Sequence, residues 1–163
     1  MNWLDNNILS FVTFVPAAGA LLLLFFPRRD RDIRVSETRI AEPTNYHTLI
    51  RVEVVTERRR RSVSGTLFGG DKPRIVEVEG IPMEAELGAH MLFVRNKDKP
   101  GFIGNLGRTM SEASINIATF HLGRAAPGQD ALCLVHVDQA PSDAVLECVR
   151  ALPNVIQARL LGF

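Results

Sequence analysis

The sequence predicts an α+β protein whose sheets are antiparallel. Residues 48–83 contain short segments in which apolar and polar residues alternate, and residues 90–163 contain strand and helix patterns in the order β-α-β-β-α-β. A third observation concerns residues 8–26, a run of 19 residues without a charged side chain, which predicts a transmembrane helix before these units. The 163 residues suffice for one domain of typical size or for two small ones.

The alternating segments of residues 48–83 predict a small antiparallel sheet. In residues 48–55 every second side chain is apolar, which is typical of a strand with one buried face. Three further segments have similar patterns: residues 61–68, 74–78 and 81–83. Residues 36–46 are polar and show no periodicity, so they are predicted to form a linker.

Residues 90–163 predict four strands and two helices. The strands are expected in residues 91–95, 115–123, 130–137 and 155–161. The first helix runs from residue 100 to residue 113, and its sheet-facing residues are expected to be Ile103, Leu106, Met110 and Ala113. Ser142 is the predicted N-cap of the second helix, whose buried face is expected to carry Val145, Cys148, Val149 and Leu152. This order predicts a ferredoxin-like arrangement of about 75 residues.

The uncharged run of residues 8–26 has the length of a membrane span. At about 1.5 Å of rise per residue, it comes close to the roughly 30 Å of hydrocarbon in a bilayer. Arginines follow the run and none precedes it, which predicts a single-pass helix with the remainder of the chain in the cytoplasm. A cleaved signal peptide and a buried core helix are the alternatives, although no basic residue precedes the run and it has no amphipathic stripe.

The composition excludes several classes of function. Nineteen Lys and Arg residues against 18 Asp and Glu residues give a net charge of +1, so no basic field predicts nucleic-acid binding. Cys133 and Cys148 have apolar neighbours at core-facing spacing, which predicts two buried thiols rather than a disulfide and suits a reducing compartment. The four histidines are scattered, so no metal site is predicted. No catalytic set and no nucleotide-binding glycine motif is found, so no catalytic residue and no cofactor is predicted.

The loop before the first helix of residues 90–163 has the chemistry of an amino-acid site. Asp98 offers an anion to an ammonium group. Pro100 and Gly101 start the helix, whose free N–H groups favour a carboxylate, and Gly101 has no Cβ atom to block a ligand. Asn116 follows the helix and is expected to lie across from this loop. The alternative is that Asn96 and Asp98 stabilise the backbone of their own turn.

Two neighbouring motifs resemble one family. Residues 95–124, RNKDKPGFIGNLGRTMSEASINIATFHLGR, resemble the effector-binding stretch of the ACT domain of D-3-phosphoglycerate dehydrogenases. The segment before it, VSGTLFGGDKPRIVEVEGIPMEAELGAHMLFV, resembles the end of that family's allosteric substrate binding domain. The resemblance covers residues 36–163. It implies a partial allosteric substrate binding domain in residues 35–84 and an ACT domain in residues 85–163, behind the transmembrane segment that the uncharged run predicts in residues 1–34.

The resemblance implies a serine-binding regulatory fragment of D-3-phosphoglycerate dehydrogenase, which takes part in feedback control of serine biosynthesis. In the family, serine binds between neighbouring ACT domains, at residues that correspond to Asn96, Asp98 and Asn116. L-serine or a similar amino acid and a homo-oligomer through the ACT domains are therefore the implied partners. Arg74 corresponds to a basic position in an anion site that some members carry. No catalytic domain and no NAD-binding domain is predicted in this chain, so any enzyme activity stays open.

Residues 11–34, FVTFVPAAGALLLLFFPRRDRDIR, resemble the first membrane helix of the M chain of bacterial NADH-quinone oxidoreductase. The stretch carries none of the charged residues that pumping needs, so the resemblance implies a membrane attachment through residues 8–26 and no pumping. Two alternatives to the regulatory function stay open: a membrane-tethered amino-acid sensor, and a non-functional product of gene fusion or truncation. If the N-terminal segment is an artefact, a cytoplasmic location is expected.

Overall fold

The computed structural model describes residues 34–40, 49–57, 60–69 and 72–162. The chain divides into two compact units between Gly80 and Ile81. Residues 8–26, for which the sequence predicts a membrane span, lie outside the described residues. Within the described ranges, no helix has the length and the apolar composition that crossing a bilayer requires.

The strands of the first unit pair antiparallel in chain order. They are β1 (Arg34–Ile40), β2 (Leu49–Val55), β3 (Arg60–Phe68) and β4 (Lys72–Val78). The predicted linker in residues 36–46 is wrong for residues 36–40, because these residues belong to β1 and pair with β2. The polar sequence of β1 carries no strand pattern, and backbone pairing with β2 provides the partners that a strand needs.

One face of this sheet is apolar and the opposite face is polar. Three side chains of β2 are buried on the apolar face: Ile50, Val52 and Val54. On the polar face Arg51 Nε donates to Ser64 Oγ on β3 (3.1 Å), and the Arg51 guanidinium forms an ion pair with Glu77 on β4. The strand register places these three residues opposite one another, so the polar side chains connect three strands.

The second unit contains a four-stranded antiparallel sheet and two helices. Its elements are β5 (Ile81–Glu86), β6 (His90–Lys97), α1 (Phe102–Glu112), β7 (Ile117–Arg124), β8 (Asp130–Val137), α2 (Asp143–Arg150) and β9 (Val155–Gly162). The sheet order is β7-β8-β6-β9, and neighbouring strands are antiparallel. The predicted β-α-β-β-α-β order is therefore found from β6 to β9, and it is compatible with a ferredoxin-like α+β domain.

Helix α1 packs on the sheet through three buried residues, Phe102, Leu106 and Met110. The spacing of apolar residues predicts Ile103 in this role, and that prediction is wrong because Ile103 is 58% exposed. Phe102 and Ile103 lie four and three residues before Leu106, and both spacings put a residue on the same side of a helix. The core therefore accommodates the aromatic ring and leaves Ile103 in solvent.

Helix α2 begins at the predicted cap, where the Ser142 hydroxyl accepts a hydrogen bond from the Val145 N–H (3.4 Å). The buried residues of α2 are Leu146 and Val149. The prediction of two buried thiols is wrong for Cys148, which is exposed. Cys133 in β8 is buried, and its desolvation raises the pKa of the thiol to about 12.

The sheet of the second unit is covered on both faces. Residues 91–94 of β6 are fully buried, although consecutive side chains of a strand point to opposite faces. Strand β5 contributes to this cover, since it lies against β7 and buries every second one of its side chains. At Gly123 of β7 a Cβ atom would lie 2.5 Å from the Pro82 carbonyl oxygen, so the close approach of β5 requires glycine at this position.

Candidate functional site

Asp98 follows β6 and is bonded to the turn between β7 and β8. Its Oδ2 atom accepts hydrogen bonds from Arg124 Nη1 (3.2 Å) and from the Gly128 N–H (3.1 Å), and its own N–H donates to the Gln129 carbonyl (2.7 Å). The Gly128 N–H and the Arg124 guanidinium lower the pKa of the Asp98 carboxyl from its usual value. The half-buried side chain is therefore an ionised carboxylate at neutral pH.

Helix α1 starts at the end of the same loop. Its N-cap is Gly101, whose φ of 93° is left-handed, and no side chain among the described residues caps the helix. The first N–H groups of a helix have no partner within the helix and attract anions. Pro100 and Gly101 are exposed, and a Cβ at Gly101 would meet, within the described part of the chain, only Asn105 Nδ2 at 4.0 Å. A ligand carboxylate thus has room to approach the start of α1.

Asn96 lies in the interior of the second unit. The residue is only 1% exposed. Its Nδ2 atom donates a hydrogen bond to the Lys97 carbonyl (2.9 Å), and its Oδ1 atom lies 4.0 Å from Cys133 Sγ. In this arrangement Asn96 stabilises the end of β6 from within. This bond is the kind of contact that the backbone role requires, and the ligand role of Asn96 stays a prediction.

Asn116 lies at the far end of the sheet from Asp98. Its Nδ2 donates to Asp138 Oδ2 (2.8 Å), and its carbonyl accepts the Asp138 N–H (3.2 Å). Asn116 is exposed and directly precedes β7. The expectation that it lies across from the Asp98 loop is wrong within a single chain, because the 11 residues of α1 carry the chain back along the sheet.

The register of β8 gives the distance between these two positions. Asp130 at the start of β8 is opposite Lys97, the residue before Asp98, whereas Val137 at its end is opposite Ile117, the residue after Asn116. Seven steps of about 3.3 Å separate the two ends of β8, so that roughly 20 Å lie between the Asp98 loop and Asn116. One amino-acid ligand cannot contact both within one chain.

Three ion pairs surround the loop, two of them on Asp130 and one on Asp98. Asp130 accepts hydrogen bonds from Lys97 and from Arg95 (Nη2–Oδ2, 2.7 Å), and these two cations lower the pKa of its carboxyl. Arg124 contacts Asp98, and its side chain is 55% exposed. Arg124 was not predicted as a site residue, although it ends the motif, because the sequence does not show that the end of β7 meets the loop after β6.

Arg74, the predicted anion-binding residue, lies on β4 in the first unit. Its guanidinium carbon is 6.0 Å from the centroid of the Phe68 ring, and the register places it opposite Thr66 on β3. Arginine over an aromatic ring is a common stabilising contact. A role in anion binding stays a prediction.

Comparison with known families assigns a domain to most of each unit. Residues 25–79 match the model of the D-3-phosphoglycerate dehydrogenase intervening domain, and residues 90–154 match that of the ACT domain. The first match begins upstream of residue 36, where the resemblance in the sequence begins. Neither match supports the resemblance of residues 11–34 to the M chain of NADH-quinone oxidoreductase.

Individual relatives match about four fifths of the chain. The D-3-phosphoglycerate dehydrogenase of Bacillus subtilis is 27% identical over 133 residues, which are 82% of this chain and 25% of the relative. That of Archaeoglobus fulgidus is 30% identical over 131 residues, with coverages of 79% and 25%. A probable L-serine dehydratase beta chain of Bacillus subtilis is 29% identical over 128 residues, with coverages of 78% and 56%. The chain thus spans about a quarter of the length of these dehydrogenases.

The fold and the matches define the class of protein: the second unit is similar to an ACT domain over residues 90–154. The ACT domain follows a region that matches the intervening domain. The chain is accordingly similar to the C-terminal regulatory part of D-3-phosphoglycerate dehydrogenase. These matches do not favour a membrane-tethered sensor or a non-functional fusion product.

Proposed function

We propose that this chain binds L-serine, or a similar amino acid, and exerts feedback control on a D-3-phosphoglycerate dehydrogenase. The relatives support both the choice of L-serine as the ligand and the regulatory role. Their names describe two reactions, a dehydrogenation and a dehydration, and both proteins share the region that is present in this chain. A region common to two different reactions is not expected to perform either one. One of the two names specifies L-serine, which is the reason for choosing this amino acid.

The proposed site is formed by the Asp98 loop and the start of α1. The observation that carries it is an ionised carboxylate next to an uncapped helix N-terminus. A carboxylate forms strong charge-assisted hydrogen bonds with an ammonium group, and the helix start attracts a carboxylate. An α-amino acid carries both groups on one carbon atom. Asp98, Pro100 and Gly101 are thus assigned to ligand binding, while Asn96 supports the loop from the interior.

Asn116 completes this site only if it comes from a second copy of the chain. Among the described strands, β7 pairs with β8 alone, so its other edge is open to a partner strand. A two-fold axis that pairs β7 with the same strand of a partner makes the two strands antiparallel. The first residues of one strand then lie opposite the last residues of the other. This pairing brings Asn116 of the partner subunit toward Arg124 and the Asp98 loop.

A ligand held between two copies connects binding with assembly. Because the ligand binds the dimer and not the separate chains, its binding free energy also stabilises the dimer. Control of a D-3-phosphoglycerate dehydrogenase would follow if that enzyme has different activities in the two states of assembly. Homo-oligomerisation through the ACT domain is therefore part of the proposal.

The first unit is proposed to be a partial allosteric substrate binding domain in residues 35–84, followed by the ACT domain in residues 85–163.

Arg74 is assigned to a second anion site, which lies in the partial allosteric substrate binding domain. The assignment is supported by its resemblance to a basic position of the family and by its half-buried place on β4. Inorganic phosphate should bind the wild-type chain more tightly than Arg74→Gln. Equal binding would remove Arg74 from the proposal.

Calorimetric titration of the whole chain with L-serine, together with sedimentation with and without the ligand, tests the main proposal. We expect saturable binding and a shift toward the dimer when serine is present. Glycine and L-valine test the selectivity, since they share the ammonium and carboxylate groups but lack the hydroxyl. Absence of saturable binding for all three amino acids would contradict the proposed function.

A further inference from the structure

We infer that Arg124 is a ligand-binding residue that recognises the α-carboxylate of the amino acid, beside Asp98, which recognises its ammonium group. This inference rests on the proposed function, because it concerns the same site. It adds a residue from the end of β7 to a site that otherwise consists of the β6–α1 loop and the start of α1. The ligand class that fits Asp98 and Arg124 together is a zwitterion whose ammonium and carboxylate groups are attached to the same carbon atom.

The geometry of the two side chains supports this role. Arg124 Nη1 lies 3.2 Å from Asp98 Oδ2, so an anion and a cation stand side by side at one surface position. Asp98 and Arg124 come from different segments, the loop after β6 and the end of β7. A zwitterion carries the opposite pair of charges at short separation, and it can align with Asp98 and Arg124 so that each charge meets its counterpart. A guanidinium has five N–H donors in a planar fork, which suits a carboxylate.

Asp98 does not depend on Arg124 alone for its position. The Gly128 N–H donates to the same oxygen atom (3.1 Å), and the Asp98 N–H donates to the Gln129 carbonyl. The carboxylate therefore stays fixed on the β7–β8 turn when the guanidinium shifts to share its donors with a ligand. Arg124 is the more exposed partner, since 55% of its side chain is exposed against 24% of that of Asp98, so a ligand can reach its free N–H groups.

Other nearby cations are less suited to this task. Arg95 and Lys97 both bond to Asp130. Lys99 is exposed in the same loop as Asp98 and has the same charge as Arg124, but it carries a point charge rather than a planar fork. Lys99 is therefore a matched control for a purely electrostatic effect.

Two ligands that differ only in the carboxylate test the inference. L-serine and L-serinamide both carry an ammonium group below about pH 7, whereas only serine carries the carboxylate. The whole wild-type chain is titrated with each ligand, and so are Arg124→Gln, Arg124→Lys and Lys99→Gln. Thermal melts of each variant establish that it is folded.

Arg124→Gln is expected to weaken serine binding by about 5-fold, a value in the range of an exposed charged contact, and to leave serinamide binding unchanged. Arg124→Lys is expected to lie between the wild type and Arg124→Gln, and Lys99→Gln should match the wild type. Equal weakening of both ligands by Arg124→Gln would mean that Arg124 only positions Asp98 and would overturn the inference. An unchanged serine affinity in Arg124→Gln would also overturn it. So would a loss of the preference for serine over serinamide in Lys99→Gln instead of in Arg124→Gln. If the wild-type chain binds neither ligand, the proposed function fails and the inference fails with it.

Discussion

A mixture of two binding-deficient variants tests whether the effector site is shared between two chains. Asp98→Asn removes the charge of the loop but keeps an oxygen atom that can accept the Gly128 N–H, and it should weaken serine binding about tenfold or more. Asn116→Ala removes the amide at the other end of the sheet. Since roughly 20 Å separate the two positions in one chain, each complete site needs Asp98 from one copy and Asn116 from the other. Either variant alone therefore impairs both sites of its dimer.

An equimolar mixture that is unfolded and refolded together contains mixed dimers. Random pairing makes about half of the dimers mixed, and each mixed dimer has one intact site and one doubly altered site, so about a quarter of all sites should regain wild-type affinity. Calorimetry measures this fraction as the stoichiometry of tight serine binding. Each variant refolded alone is the control and should show no tight sites. The reasoning is refuted if the mixture has no tight sites while wild-type protein refolded in the same way binds serine.

Three further predictions concern packing, thiol reactivity and pH. Gly123→Ala should lower the free energy of unfolding by about 1–3 kcal/mol, because its Cβ would lie 2.5 Å from a backbone oxygen, and the melting temperature should fall by about 2–4 °C per kcal/mol. Gly104→Ala is the control, because a Cβ atom there meets nothing within 4 Å among the described residues, and it should raise the free energy of unfolding by up to about 1 kcal/mol. Equal melting temperatures for the two variants would contradict the packing of β5 on β7. A thiol reagent should modify Cys148 in the folded protein and Cys133 only after unfolding, as mass spectrometry can measure; equal rates would refute the burial of Cys133. The pKa of the Asp130 carboxyl is lowered in the folded protein, so its ion pairs stabilise the fold above about pH 4 and lose this effect as the pH falls through the lowered pKa. In thermal melts from pH 7 to pH 3, the stability of Asp130→Asn should therefore fall less than that of the wild type. An equal fall for both proteins would count against these ion pairs.

Local patterns in the sequence predicted most elements of the second unit. The alternating and apolar segments predicted β6, β8 and β9, because the order of apolar and polar side chains along a strand indicates which of its faces are buried. Ser142 indicated the start of α2, because an N-cap hydroxyl acts on an N–H group only three residues away. The Asp98 loop was proposed as a ligand site from the chemistry of its own residues together with the family resemblance, and that assignment stays a prediction. All of these features depend on contacts between near neighbours in the chain.

Errors arose where a distant partner decides the outcome. β1 has no apolar alternation and exists through its pairing with β2. Ile103 and Phe102 both satisfy the helical spacing, and only the shape of the core selects the ring. Cys148 likewise satisfies the helical spacing with Val145 and Leu152, but the orientation of α2 buries Leu146 and Val149 and leaves Cys148 in solvent.

The sequence by itself determined the domain class and the loop that carries the charge of the proposed site, since both follow from residues that are adjacent along the chain. Only the tertiary structure decided what surrounds that loop. It brought Arg124 and Gly128 to Asp98, turned Asn96 toward the core and placed Asn116 at the other end of the sheet. The physical reason is that sheet register and the length of α1 set distances between residues far apart in the chain, and no local pattern encodes those distances.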